Sequence, residues 1–154
     1  GWTPAASAAW YLGLPLAALL AAWRIARARR LRGDTAATRR LQAPKAAKAG
    51  LRAARKACET HEGAGAVFAA LRRAAVDWYA HRANLPPGAV GAERIVRALE
   101  TAGESAENLA AWKEFFALAD QALYAPSTIS LDNAALLAWC GKMATLLRGA
   151  ERRA

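Results

Sequence analysis

The sequence predicts an all-α protein, in which one N-terminal transmembrane helix is followed by a small cytosolic helical bundle. The region from Gly1 to Trp23 contains no charged side chain, and a cluster of arginines follows it directly. The remainder is rich in Ala, Leu and Arg, its apolar residues recur every three or four positions, and no stretch alternates with period two. We therefore divide the chain into an anchor (1–32), a basic juxtamembrane helical arm (33–62) and a helical bundle (63–154).

The anchor has the length of a bilayer span. As a helix, Trp2 to Trp23 would extend about 31 Å, close to the roughly 30 Å of bilayer hydrocarbon. Both tryptophans would then lie at the interfaces, with Trp10, Tyr11 and Pro15 between them. A signal peptide is a poorer interpretation, because its charges precede the apolar run, and a buried soluble helix rarely lacks charge for so long. Since the first residue is not Met, we expect the sequence to be part of a longer or processed chain.

The basic charge is concentrated beside the anchor. Residues 24–56 hold twelve Lys or Arg and one acid, whereas the rest of the chain is nearly balanced, and the whole carries +10. Such a run predicts contact with anionic lipid headgroups and places this side of the membrane in the cytosol. Nucleic acid is the weaker alternative, because the bases are not interleaved with aromatic residues. The predicted lipid contacts are Arg24, Arg27, Arg29, Arg30, Arg32, Arg39 and Arg40.

The helices follow from periodicity and breaks. In the arm we expect a short helix, a break at Pro44, and an Ala-rich helix to about His61 that either lies on the membrane or docks loosely. In the bundle we expect helices over about 66–83, 91–102, 106–124 and 131–149. Gly103 and Ser105 are predicted caps between the second and third of these, and Ser130 is the predicted cap of the last. The aromatic residues on the apolar stripes (Phe68, Trp78, Trp112, Phe115, Phe116 and Trp139) are predicted to form the core.

We find no catalytic constellation, cofactor motif or convincing metal site, and we do not expect an enzyme. Cys58 and His61 lie on one helix face, and His81 and Cys140 could complete a zinc site, but the spacing matches no standard finger. Cysteine–histidine catalysis would also need an oxyanion site. We expect both thiols to be reduced, since two cysteines are too few for a disulfide framework.

The segment from Phe68 to Pro126 carries a family resemblance. It contains a helix ending in Leu85-Pro86-Pro87, then a short helix, then a helix closed by Tyr124-Ala125-Pro126. This resembles the cytosolic C-terminal part of the bacterial BatD (oxygen tolerance, or aerotolerance) family, which has a periplasmic region, one span and a cytosolic tail.

The resemblance implies a location and partners. It places the chain in the bacterial inner membrane as a single-pass protein with its C-terminal domain in the cytoplasm. It implies a non-enzymatic scaffold or adaptor in a Bat/MoxR envelope stress system, docking MoxR-type AAA+ ATPases and membrane proteins with von Willebrand factor A domains. The predicted docking residues are Leu85, Pro86, Pro87, Tyr124 and Pro126. The alternative function is a basic helical module that binds anionic lipid or nucleic acid.

Overall fold

The computed structural model describes residues 36–153, and all regular structure in that part of the chain is helical. The all-α prediction is therefore confirmed. None of the helices between residues 36 and 153 is long and apolar enough to cross a membrane. The predicted anchor lies outside the described residues, together with its aromatic residues and the first five predicted lipid contacts (Trp2, Trp10, Tyr11, Pro15, Trp23, Arg24, Arg27, Arg29, Arg30 and Arg32).

The described residues contain five α-helices and two short 3₁₀ turns. Helix α1 is helical over residues 36–59. It is followed by α2 (Ala64–Ala83), a turn (Pro87–Ala89), α3 (Ala92–Thr101), α4 (Ala106–Tyr124), a turn (Pro126–Thr128) and α5 (Asn133–Arg153). Residues Arg39–Ala154 form one compact unit, and Gly1–Thr38 belongs to another.

The long helices pack side by side and define two ends. Helices α2 and α4 are antiparallel, because Gly65 lies against the Ala122 carbonyl and Arg72 pairs with Asp120. Trp78 Nε1 donates to Glu151 Oε2 over 2.6 Å, so α5 runs parallel to α2. One end, the proline-pair end, holds residues 39–44, 84–87, 104–106 and 151–153. The other, the Tyr124 end, holds residues 58–65, 122–128 and 133–140.

The core consists of the predicted aromatic stripes. Phe68, Trp78, Trp112 and Phe115 are its largest fully buried side chains. The Phe68 ring joins α2 to two other helices, with ring centroids 6.3 Å from Phe115 on α4 and 6.1 Å from Trp139 on α5. Aromatic pairs at this spacing add to the stabilisation from the area that they bury. The prediction that this set forms the core is confirmed, with Trp139 at its half-buried edge.

Two of the three predicted caps are confirmed. Gly103 adopts φ +78° and ends α3, and Ser105 accepts a hydrogen bond from the Asn108 backbone N–H. Ser130 is wrong as the cap of the last helix. That helix begins at Asn133, and Asp132 Oδ1 accepts from the Ala135 N–H at 2.8 Å. A carboxylate is a stronger cap than a hydroxyl that lies further from the first turn.

Helix α1 differs most from its prediction. It continues through Pro44, where the sequence predicted a break. Ala43 and Ala47 are buried on either side of this proline, so packing compensates for the missing backbone donor. A Cβ placed on Gly50 would lie 2.5 Å from Ala74 Cβ, which shows how closely α1 approaches α2. Residues 39–62, which the sequence analysis assigned to a separate arm, lie in the same compact unit as the residues of the bundle.

Candidate functional site: the basic face of helix α1

The exposed side of α1 carries a continuous row of cations. Their spacings of three and four residues place them on one helix face, and all are exposed. We call this row the basic face. It comprises Lys45, Lys48, Arg52, Arg55 and Lys56.

The opposite side of α1 is built from small residues. Alanine and glycine let two helix backbones approach closely, so α1 is fixed in rotation about its own axis by this contact. The basic face is thereby held outward on the bundle surface. The residues that turn inward are Ala43, Ala47, Gly50, Ala54 and Ala57.

The basic face has no acidic partner in the described part of the chain. The ion pairs formed between residues 36 and 153 are Arg72–Asp120, Arg82–Glu151, Lys142–Glu114 and Arg153–Glu104, and none uses a base of α1. Arg52 Nε makes only a weak contact with the Lys48 carbonyl, at 3.4 Å. One exposed acid, Glu59, follows Arg55 and Lys56 at helical spacing without an ion pair to either, so the face keeps an excess of positive charge that attracts a polyanion or an anionic surface.

Leu41 extends the basic face at its N-terminal end. It lies four residues before Lys45, so it shares the face of the cations, and its side chain is 77% exposed. Single exposed leucines are common on protein surfaces, so what distinguishes Leu41 is its position in line with the cations. The face therefore combines a line of positive charge with one large apolar side chain.

The two predicted lipid contacts that the structure describes have other surroundings. Arg39 is exposed and donates from Nη1 to Asn84 Oδ1 at 3.1 Å, which ties it to the proline-pair end. Arg40 lines a cleft of about 470 Å³ with Leu41, Arg82 and Glu151. Neither is on the basic face. The basic run predicted from the sequence, residues 24–56, includes the basic face, although the individually predicted lipid contacts end at Arg40.

The predicted docking residues are exposed or half-buried, but they do not form one surface. Leu85, Pro86 and Pro87 lie at the proline-pair end, and Tyr124 and Pro126 at the other. Helix α2, of 20 residues, separates the two groups by about 30 Å. Tyr124 is the most exposed large apolar residue described, at 82%, and Leu123 beside it is 39% exposed.

Cys58 and Cys140 are brought together, which the sequence did not predict. Their Sγ atoms are 4.0 Å apart and both residues are buried. His61 is exposed beside them, whereas His81 lies in the last turn of α2, at the opposite end. The four residues considered for zinc therefore do not converge, and no cluster of three or more possible ligands exists among residues 36–153.

Burial changes the acidity of one of these thiols. It raises the pKa of Cys140 to about 12, with the neighbouring Cys58 contributing to the rise and Arg55 opposing it. Cys140 is therefore protonated at neutral pH and is a weak nucleophile.

A polar cleft of about 740 Å³ separates α4 from α5. It is lined by Glu107, Asn108, Glu114, Lys142 and Thr145, among others. Lys142 Nζ is bonded to Glu114 at 2.8 Å and lies 4.2 Å from the Trp139 ring centroid. Its charge is thus already compensated, unlike that of the basic face.

Comparison with family models, with curated proteins and with solved structures finds no match for this chain.

Proposed function

We propose that this chain is a non-enzymatic, membrane-apposed helical module whose α1 lies along an anionic lipid surface. The observation that carries the proposal is the basic face: five exposed cations at helical spacing, with no acidic partner in residues 36–153. The apolar run of residues 1–23 and the arginines after it support the same setting, at the inner membrane with the bundle in the cytoplasm.

The expected strength of this contact is moderate. Each base near an anionic leaflet contributes about 1 kcal/mol, so the basic face could supply up to about 5 kcal/mol at low ionic strength. Burying a leucine side chain adds about 1.5–3 kcal/mol. A membrane anchor would make even this contact effective, because a tethered helix faces a high local concentration of headgroups.

Leu41 favours lipid over nucleic acid. A leucine at the edge of a cationic row can insert between acyl chains, as in interfacial amphipathic helices. A nucleic-acid backbone offers no comparable apolar environment, and the basic face carries no aromatic side chain on which a base could stack.

The apolar run of residues 1–23 could bind vesicles without any contribution from α1. The test therefore uses a probe placed on α1 itself. In a full chain whose native thiols are removed (Cys58→Ala and Cys140→Ala), Ala49, which is exposed on α1, is changed to Cys and labelled with NBD. Phosphatidylcholine vesicles with phosphatidylglycerol should give a blue-shifted, brighter emission than phosphatidylcholine alone. Raising NaCl from about 0.1 to about 0.5 M should weaken this effect. Equal emission with both lipids would contradict the proposal.

A matched pair of variants isolates the face. Reversing Lys45, Lys48 and Arg52 to Glu should abolish the lipid-dependent shift. Reversing three exposed bases elsewhere, Arg73, Arg97 and Lys113, changes the net charge equally and should preserve most of it. Equal losses in both would mean that only overall charge matters.

Leu41→Gln separates a bilayer from a soluble polyanion. It should weaken the vesicle-dependent shift by about tenfold in apparent affinity and leave binding to heparin unchanged. A parallel loss on heparin would indicate that Leu41 acts through the structure of α1.

A second function, docking of a protein partner, is favoured by Tyr124 and Leu123. These two exposed side chains lie at the C-terminal end of α4, just before Pro126, a position that the BatD resemblance also identifies. The proposed partners are a MoxR-type AAA+ ATPase and membrane proteins with von Willebrand factor A domains. A photo-crosslinking residue at Tyr124 should capture such a partner in cells, and one at exposed Arg94 should not. Equal capture at both positions would argue against a specific surface.

A further inference from the structure

The two cysteines of the chain form a buried pair between α1 and α5. They are separated by 82 positions in sequence, yet their Sγ atoms are 4.0 Å apart and each residue is only 1% exposed. A disulfide requires an S–S separation of about 2.05 Å, so the sulfur atoms must approach by about 2 Å. Side-chain rotation with a small movement of α1 could supply this approach.

We propose that Cys58 and Cys140 are a site of reversible oxidation, where a hydroperoxide drives formation of a disulfide that joins α1 to α5. This inference is independent of the proposed function. The pair is the only place in the chain where two thiols can meet, since the sequence contains no other cysteine.

The reaction balances with the hydroperoxide as the two-electron oxidant. The Cys58 thiolate attacks the terminal peroxide oxygen, the O–O bond breaks, and an alcohol (water, from hydrogen peroxide) leaves while a sulfenic acid forms. The Cys140 sulfur then displaces the hydroxyl group from the Cys58 sulfur, and its own proton leaves with that group as water. Two thiols are oxidised to one disulfide, and the peroxide is reduced to an alcohol and water.

The scheme begins at Cys58 for a physical reason. The thiols become accessible when α1 opens, and Cys58 moves outward with that helix, so it meets the oxidant first. When α1 closes again, the Cys58 sulfur returns to contact with Cys140, and proximity offsets the weak nucleophilicity that a pKa raised to about 12 gives the buried Cys140 thiol.

Access to the pair depends on α1. Both thiols are buried, so the oxidant reaches them when α1 separates locally from the bundle. Helix α1 is held mainly by small side chains, whereas α2 and α4 are joined by the large aromatic core. Opening of α1 should therefore occur more readily than global unfolding, and the disulfide would then hold α1 closed.

The primary test uses the full chain without substitution. After treatment with hydrogen peroxide, titration of thiols in denaturant should find none, and the intact mass should fall by two hydrogens with the chain monomeric. A thiol reductant should restore both thiols. The oxidised protein should melt at least about 5 °C higher than the reduced protein.

Two results would overturn the proposal. One is retention of both thiols in the folded protein under conditions that oxidise the unfolded chain. The other is oxygen addition or disulfide-linked dimers instead of loss of two hydrogens. Cys58→Ser is the control: it should gain oxygen or dimerise slowly, and its melting temperature should not rise on oxidation.

Discussion

Glycine is required at one position in α1. A Cβ at Gly50 would lie 2.5 Å from Ala74 Cβ and 2.8 Å from Ala74 Cα, so α1 and α2 could not keep their present separation. Backbone atoms cannot move aside as a flexible side chain can. Gly50 thus sets the distance at which α1 docks and, through it, the outward orientation of the basic face.

Gly50→Ala should therefore destabilise the protein, by about 1–3 kcal/mol from overpacking. Gly141→Ala is the matched control, because Gly141 is also within a helix but a Cβ added there would meet nothing within 4 Å. That change should stabilise by up to about 1 kcal/mol through helix propensity. Urea unfolding of both variants measures the difference, and equal effects would contradict the close approach.

Cys140 gives the stability of the protein a defined pH dependence. Its pKa is raised from 9.0 to about 12, so the folded state holds this proton more tightly than the unfolded state. The protonated Cys140 thiol therefore contributes fully to the free energy of unfolding below pH 9, and this contribution is lost as the pH rises from 9 to 12.

Between pH 9 and pH 12 the free energy of unfolding should therefore fall as the pH rises. Lysine and tyrosine also titrate in this range, so the measurement is a difference between proteins. The free energy of unfolding of the native chain should fall more steeply with pH than that of Cys140→Ala. Parallel curves would show that the Cys140 thiol is not protected in the folded state.

At the scale of the element, helix α5 shows how a cap determines where a helix begins. Asp132, and not Ser130, accepts the hydrogen bond from the Ala135 N–H. Both residues were suitable by type, but only Asp132 lies directly before the first residue of the helix, Asn133.

Asp132→Ala should thus cost about 1 kcal/mol, whereas Ser130→Ala should change stability by less than about 0.5 kcal/mol. Chemical denaturation of the two variants gives the comparison. If Ser130→Ala lowered the free energy of unfolding more than Asp132→Ala, Ser130 would be the cap, as the sequence predicted.

Helix α1 is an integral part of the folded bundle. Ala43, Ala54 and Cys58 are almost completely buried, and Pro44 and Leu51 line a small apolar crevice with Trp78. Removing α1 would expose Trp78 and one side of α5 to water.

A chain of residues 39–154 should therefore unfold cooperatively, and a chain of residues 63–154 should be less stable by at least about 3 kcal/mol. Thermal unfolding and binding of the dye ANS would compare them, with more dye bound by the shorter chain. Equal stability of the two chains would show that residues 63–154 fold as a separate domain, as the sequence predicted.

Much of the bundle could be predicted from local patterns. The apolar stripes that contain Phe68, Trp112 and Leu136 predict helices, because apolar residues that recur every 3.6 positions can be buried together only on one face of a helix. The capping roles of Gly103 and Ser105 could also be predicted, because few residue types favour the αL conformation or the N-cap position. The break at Pro44 was wrong because tertiary packing outweighed the intrinsic preference of one residue.

Local sequence patterns were enough to predict the helical class, the residues of the aromatic core and the concentration of positive charge in residues 24–56. These depend on side-chain type and near-neighbour spacing. Three features depend on the tertiary structure: α1 docks through Gly50, the face that carries its cations and Leu41 is turned outward, and Cys58 meets Cys140. Such contacts join positions distant in sequence, and they depend on helix order and separation, which no local period contains.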